Sequence, residues 1–307
     1  MPDSPTTPKI DMRMSKWPLF LALAAALAAC GGEPPPQDSL NVDDGLDSAT
    51  LAERMQKTKN IFYNIPSPME TAALLKKAGA EYNSKILNDV KNVDKYTAAS
   101  QQALNLGVYG ADLSYASVFN HTQESMFYTS CSRKLADRLG VISAFNDSTM
   151  ELMQSKMNDR DALLDIISET YWNVDGHLKE DGRDNISALM IAGGWVEGLY
   201  IATQVATTSD SPELRQRIAE QKYSLDDLVA LISSYEVKDA RLDGVKADLM
   251  GLQALFAEVS LGAPGNETTE ENGITVIGGG GADASLTDAQ LSAIQEKTSA
   301  IRNSYIN

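Results

Sequence analysis

Apolar residues recur along most of this chain with the period of an α-helix. Residues 160–180 contain five apolar positions separated by steps of three or four, which places them on one helix face: Leu164, Ile167, Tyr171, Val174 and Leu178. Residues 122–139 contain a second such stripe at steps of four: Phe127, Cys131, Leu135 and Leu139. Strand-like alternation is scarce, so the pattern predicts helices that each bury one face.

Helix start signals accompany this periodicity. Ser67-Pro68-Met69-Glu70 and Thr287-Asp288-Ala289-Gln290 have the composition of capping boxes, and Ser224 begins a weaker signal of the same kind. We predict helices over residues 49–63, 68–78, 93–119, 122–139, 147–157, 160–180, 184–206, 212–222, 225–235, 238–260 and 288–304. Because short connections favour antiparallel neighbours, the expected fold class is all-α, either a multi-helix bundle or stacked helical hairpins.

Residues 262–286 interrupt the helical pattern. They contain Pro264, Gly265 and four consecutive glycines, together with the apolar run Ile274-Thr275-Val276-Ile277. This run predicts at most one short strand near 274–277, which cannot form a sheet without a partner strand. We therefore predict an all-α body over residues 48–261, a Gly-rich linker over 262–286 and a C-terminal docking helix within 287–307.

The N-terminus has the layout of an export signal. A basic stretch over residues 12–16 precedes an uncharged apolar run over 17–29, which is too short to span a bilayer. The run ends in Leu27-Ala28-Ala29-Cys30, which closely resembles the lipobox of bacterial lipoproteins. This resemblance implies that residues 1–29 are a removable signal peptide and that Cys30 is acylated. The alternative is an ordinary secreted protein that is cleaved after small residues.

The charge of the chain favours attachment through lipid. The sequence has 26 basic and 42 acidic residues, and removal of residues 1–29 changes the formal charge from −16 to −17 because three basic and two acidic residues are lost. Anionic lipid and nucleic acid both repel such a chain, so we expect no nucleic-acid partner and a membrane anchor at Cys30. Residues 30–47 are predicted to be a disordered acidic tether.

Two predicted helices are almost entirely apolar, and each carries one carboxylate. Residues 104–119 contain the single charge of Asp112, and residues 188–206 contain the single charge of Glu197. A helix that is apolar on all sides is usually buried, so each carboxylate must be paired, hydrogen-bonded or protonated. Five glycines in these helices indicate the close approach of another backbone or of a ligand: Gly107, Gly110, Gly193, Gly194 and Gly198.

Three hypotheses remain open for these two helices. Four aromatic side chains with polar atoms could complete a small-ligand pocket around Asp112 and Glu197: Tyr109, Tyr115, Trp195 and Tyr200. Alternatively, both carboxylates pair with Arg or Lys residues of neighbouring helices or accept hydrogen bonds from Tyr hydroxyl groups, and the glycines only permit a close crossing. The third hypothesis makes the carboxylates the general acid and base of a hydrolase, which requires a separation of about 6.5 to 9.5 Å in an open cleft.

The other residues that commonly carry chemistry indicate no reaction. Neither His121 nor His177 has a Glu three residues before it, so the Glu-x-x-His motif of di-metal bundles is absent and we predict no metal site. Cys131 lies on a predicted core stripe, which indicates a small buried hydrophobe. We therefore assign no catalytic residue and no cofactor.

Four segments of the chain resemble an uncharacterised family of helical bacterial envelope lipoproteins. They are IFYNIPSPMET at 61–71, NLGVYGADLSYA at 105–116, GGWVEGLY at 193–200 and IRNSYI at 301–306. The resemblance covers most of the chain that follows the signal peptide. It implies an envelope location but brings no reaction and no binding residues.

The sequence therefore predicts a lipid-anchored envelope lipoprotein that is a non-enzymatic binding or interaction module. Gly31 and Gly32 follow the lipobox without an Asp, which resembles lipoproteins of the outer membrane, at its periplasmic face or at the cell surface. The expected partners are the membrane, through Cys30, and an envelope protein or a small ligand. A carboxylate-dependent hydrolase and a purely structural component of an envelope complex are the alternatives.

Overall fold

Helices account for most of the chain that the structure, a computed structural model, describes. The described residues are 81–208, 211–235, 239–261 and 286–307, with the backbone of 268–271 and 274–277, and they belong to the unit formed by residues 46–307. The predicted all-α fold class is confirmed. The α-helices are α1 (Ala99–Val118), α2 (Thr122–Arg138), α3 (Asp147–Ser155), α4 (Arg160–Glu180), α5 (Asp184–Ala206), α6 (Pro212–Ser233), α7 (Ala240–Ala257) and α8 (Asp288–Ile306).

Helices α1 and α5 form the centre of this body and pack against each other over most of their length. Both are buried on nearly all sides because neither has a polar face. Helices α2 and α4 pack on α1, whereas α6 and α8 pack on α5. Helix α5 is long and apolar enough to cross a bilayer, but 83% of its apolar window is buried inside the body, which is the environment of a core helix.

Glycines allow the backbones of α1 and α5 to approach each other. A Cβ atom added to Gly107 would lie 2.0 Å from the carbonyl oxygen of Met190, and one added to Gly193 would lie 2.0 Å from that of Leu104. No side chain fits at either position because such separations are far below van der Waals contact. Gly198 differs, since an added Cβ would meet nothing within 4 Å.

The outer helices bury the stripes that their periodicity predicts, with one exception. All five stripe residues of α4 are buried, and so are Cys131, Leu135 and Leu139 in and after α2. The prediction for Phe127 is wrong, because its side chain is 49% exposed. Steps of four drift by about 40° per step around a helix of 3.6 residues per turn, so Tyr128 has rotated onto the buried face in its place.

Two predicted helix boundaries are also wrong. The predicted helices 212–222 and 225–235 form one continuous helix, α6, because the Ser224 hydroxyl bonds to the side chain of Trp195 and does not cap a new helix. Residues 93–98 are not α-helical: a 3-10 helix covers Val90–Lys95, and α1 begins at Ala99. Other short 3-10 helices cover Ser84–Ile86 and Ile142–Phe145.

A two-stranded antiparallel hairpin lies between α7 and α8 in the sequence. Strand β2 (Ile274–Ile277) matches the predicted strand, and β1 (Thr268–Glu271) pairs with it, although the sequence analysis predicted no partner strand. A four-residue run of Thr and Glu has no apolar alternation, so its strand signal is weak. The predicted helices 49–63 and 68–78, the tether and Cys30 lie outside the described residues.

Candidate functional site

Glu197 forms a buried ion pair with Arg302. Arg302 lies on α8 and donates from Nε to Glu197 Oε2 at 2.9 Å and from Nη2 to Oε1 at 3.0 Å. Both side chains are buried, with exposed fractions of 0% for Glu197 and 7% for Arg302. This two-pronged geometry is the strongest way for a guanidinium to hold a carboxylate. The Glu197 carboxylate outweighs the effect of burial and raises the pKa of Arg302, which therefore stays charged.

Asp112 is the second carboxyl group of this site. Its Oδ2 accepts a hydrogen bond from the backbone N–H of Asn88 at 3.2 Å, and its carboxyl group lies beside that of Glu197. Burial raises the pKa of Asp112 well above its ordinary range, and the charge of Glu197 raises it further. Burial also raises the pKa of Glu197, but Arg302 and the neighbouring Asp112 act against this. The geometry points the same way, because Arg302 donates two hydrogen bonds to Glu197 and Asp112 receives none from it, which favours the charge on Glu197 and the proton on Asp112.

A buried hydrogen-bond network surrounds the two carboxyl groups and Arg302. Asn88 Nδ2 donates to Tyr96 OH at 3.1 Å and to Asn105 Oδ1 at 3.4 Å. Asn105 Nδ2 donates to the carbonyl of Tyr305 at 2.9 Å, and Tyr96 OH donates to that of Ile306 at 3.2 Å. These bonds satisfy carbonyls at the end of α8 that have no partner within the helix. The network thus joins α1, α8 and the segment before α1.

The predicted aromatic residues occupy different surroundings. Tyr200 is beside the carboxyl groups, with its ring centre 4.6 Å from the guanidinium carbon of Arg302. Tyr109 OH donates to the carbonyl of Asp89, and Tyr115 OH accepts from the backbone N–H of Asn83. Trp195 Nε1 donates to Ser224 on α6, 3.0 Å away. Trp195 faces away from Glu197 because two residues along a helix correspond to a rotation of about 200°.

Arg302 is the residue of this site that the sequence analysis did not assign. A signal for it exists, because Arg302 lies one turn after Thr298 and interrupts the apolar positions of α8 next to Ile301 and Tyr305. A basic residue on the buried side of a helix requires a buried partner. Asn88 and Asn105 carry no comparable signal, since polar residues before and within a helix are usually solvated.

The arrangement agrees with the second hypothesis, in which the carboxylates pair with neighbouring residues and the glycines permit a close helix crossing. The carboxyl groups are close, fully buried and joined to a basic residue, because Arg302 binds Glu197 through two hydrogen bonds. General acid–base hydrolysis with inversion needs two carboxyl groups held apart in an open cleft, whereas these two are neighbours and both are fully buried. The geometry therefore supports a role in holding α1, α5 and α8 together.

The remaining candidate residues have local partners. Cys131 is buried and its thiol lies 3.7 Å from the Val90 carbonyl, and burial raises its pKa to about 11. His121 stacks on Tyr82, and His177 lies 3.5 Å from Glu180. Among the described residues, no group of three or more His, Cys, Asp or Glu side chains is placed to hold a metal ion.

Two surface grooves lie away from the carboxyl pair. One, of about 380 Å³, is formed by Ala206, Thr207, Thr208, Arg215, Asp288, Leu291, Ser292 and Gln295. The other, of about 430 Å³, follows α4 and is formed by Trp172, Asn173, Asp175, Gly176, His177, Lys179 and Glu180. Neither groove is lined by a residue of the predicted ligand pocket.

Comparisons with known proteins add no functional information. No protein-family model, curated protein or solved structure matches this chain. A functional proposal therefore depends on the residues of this protein alone.

Proposed function

We propose that this protein is a lipid-anchored envelope lipoprotein whose helical body is a non-enzymatic interaction module. The main support for an interaction module is that Arg302 binds Glu197 inside the body, so that a ligand has no access to the Asp112–Glu197 pair. Asp112 and Glu197 are the carboxylates that the sequence predicts as candidates for binding or catalysis, and both have an exposed fraction of 0%. Since their polar atoms serve the fold, we assign contact with a partner to the surface of the body.

The anchor is supported by the sequence around Cys30. The basic stretch, the apolar run and Leu27-Ala28-Ala29-Cys30 have the order and spacing that acylation of a lipoprotein cysteine requires. A chain with a formal charge of −17 gains nothing from anionic lipid headgroups, so the acyl chains must supply the attachment. The acidic residues 31–47 would then separate the body from the membrane surface.

Native mass spectrometry of the full-length protein, expressed in a bacterium and extracted from membranes with detergent, tests both parts. We expect the mass of residues 30–307 plus the acyl groups on Cys30, with no additional bound small molecule. The matched variant Cys30→Ala should carry no acyl mass and should be recovered without detergent extraction.

Two outcomes would contradict the proposal. A wild-type protein whose Cys30 is unmodified, or that is released without detergent, would exclude the anchor. A bound molecule whose mass disappears in Glu197→Gln would instead establish a ligand site at the carboxyl pair.

A further inference from the structure

We propose that the body contains a pH-sensitive cover, formed by residues 83–98 together with α8, that stays closed over Asp112 only while Asp112 carries a proton. Asn88 of this cover contacts Asp112 and Asn105 of α1, Arg302 of α8 contacts Glu197, and both carboxyl groups have an exposed fraction of 0%. This device is independent of the lipid anchor, because it uses only contacts within the helical body.

The first argument is the balance of charge. One guanidinium, that of Arg302, faces two carboxyl groups, and its Nε and Nη2 are both directed at Glu197. Asp112 Oδ2 has the Asn88 N–H, but Oδ1 has no donor among the described residues. An ionised Asp112 would therefore bury a second negative charge with one oxygen unsatisfied. A protonated Asp112 removes the second charge, and its hydroxyl is a donor beside the Glu197 carboxylate.

Apart from Glu197 and Arg302, the titratable groups that face Asp112 are neutral tyrosine and cysteine side chains. Glu197 of α5 and Arg302 of α8 are the charged groups near it. Tyrosine and cysteine side chains come from the segment before α1, from α1 itself and from α2, α4 and α5, and burial raises the pKa of each one: Tyr82, Tyr96, Tyr109, Tyr128, Cys131, Tyr171 and Tyr200. None of them supplies a cation to offset an Asp112 carboxylate.

The two parts of the cover are joined to each other. Arg302 Nη2 donates to the carbonyl of Ile86 at 3.1 Å, and Tyr96 OH donates to that of Ile306. Asn105 of α1 contacts both parts, since it accepts from Asn88 and donates to the carbonyl of Tyr305. Water that reaches Asp112 must break into this shared network, so the segment and α8 should open together.

The direction of the pH dependence follows from proton linkage. The closed state holds Asp112 protonated because burial raises its pKa, whereas an open, hydrated Asp112 ionises near its ordinary value. Opening therefore releases one proton. Below the ordinary pKa of aspartate, Asp112 is protonated in both states and the closed state keeps its full stability. As the pH rises from that value toward the raised pKa of the closed state, the open state becomes progressively more favourable. Within that window the opening constant should increase about tenfold per pH unit.

Hydrogen–deuterium exchange of the full-length, detergent-solubilised protein measures this opening. Exchange is followed from about pH 5 to about pH 9 in peptides that cover residues 83–98 and α8, with correction for the intrinsic pH dependence of exchange. In the wild-type protein we expect the opening constant of both peptides to rise about tenfold per pH unit over part of this range. Peptides of α6, which do not contact Asp112, should not follow this rise.

Two variants eliminate the proton that Asp112 holds in the closed state, and a third, control variant leaves it in place. Asp112→Asn keeps a donor to Glu197 and an acceptor for Asn88, so its cover should stay closed across the whole range. Glu197→Gln leaves Arg302 to pair with an ionised Asp112, so its opening should also be independent of pH. Asp165→Asn, an exposed carboxyl of α4, should behave as the wild type does. Equal pH slopes in the wild type and Asp112→Asn, or a flat wild-type profile, would overturn the proposal.

Discussion

At the scale of single residues, the closest contact between α1 and α5 depends on hydrogen atoms in place of side chains. The Cα atoms of Gly107 and Gly193 each face a backbone carbonyl of the other helix. A backbone carbonyl cannot move aside as a flexible side chain can, so the two helices would have to separate to admit a methyl group.

Alanine substitutions test this contact. Gly107→Ala and Gly193→Ala should each lower the free energy of unfolding by about 3 kcal/mol or more, because overpacking against rigid neighbours lies at the upper end of the usual range. Gly198→Ala is the matched control on α5, where an added methyl group meets nothing within 4 Å. This change should be neutral or should stabilise by up to about 1 kcal/mol, since Ala is the better helix former.

Urea unfolding followed by circular dichroism measures all three variants. A cost at Gly107 and Gly193 no larger than that at Gly198 would mean that α1 and α5 do not approach as closely as described.

The burial of a single charged residue in an apolar helix could be predicted from the sequence, but the residue that pairs with it could not. Asp112 and Glu197 are predicted to be buried because no other charge shares their helices, and both have an exposed fraction of 0%. Which group neutralises them depends on the docking of α8, which brings Arg302 to Glu197 across 105 positions of sequence. Trp195 was grouped with Glu197 by sequence proximity, although helical geometry directs it to α6.

At the scale of secondary structure, local capping signals predicted helix starts well where the hydroxyl was free to cap. Thr287 caps α8 by accepting from the Gln290 N–H, as its capping-box composition predicts. Ser224 carries the same kind of signal but contacts Trp195 in the middle of α6. A tertiary partner therefore decided between two uses of the same side chain, and the local sequence does not contain that information.

The capping box of α8 gives a prediction at this scale. Thr287→Ala removes the side-chain acceptor of the Gln290 N–H, which lies at 3.2 Å, and should lower the free energy of unfolding by about 1 kcal/mol. Ser292→Ala is the control, because Ser292 is an exposed residue within the same helix and Ala there should be neutral or slightly stabilising. Thermal unfolding of the two variants compares them. Equal stabilities would show that the cap contributes nothing to the docking of α8.

At the scale of the whole molecule, the periodicity of apolar residues predicted the fold class. It did not predict which helices pack against each other. Six of the eight α-helices among the described residues lie close to their predicted ranges, because each one carries its own apolar stripe or is apolar throughout. Helix α1 begins later than predicted, and α6 joins two predicted helices. The pairing of α8 with α1 and α5 depends on a buried polar network contributed by segments far apart in the chain. Such pairings leave no periodic signal in the sequence.

The structure indicates that the buried carboxyl pair and Arg302 stabilise the packing of α1, α5 and α8. A double-mutant cycle on Glu197 and Arg302 tests this claim by measuring the free energy of unfolding of Glu197→Gln, Arg302→Met and the double variant. Arg302→Met should cost about 3 to 5 kcal/mol, because it leaves Glu197 buried without a counter-charge. Glu197→Gln should cost less, because Asp112 remains to pair with Arg302.

The double variant should be more stable than the sum of the single costs predicts, by about 1 to 3 kcal/mol. This coupling would establish that Glu197 and Arg302 act as one unit in the core. Additive costs, or an Arg302→Met variant within about 0.5 kcal/mol of the wild type, would contradict this stabilising role and would make Glu197 a candidate residue of a ligand site again.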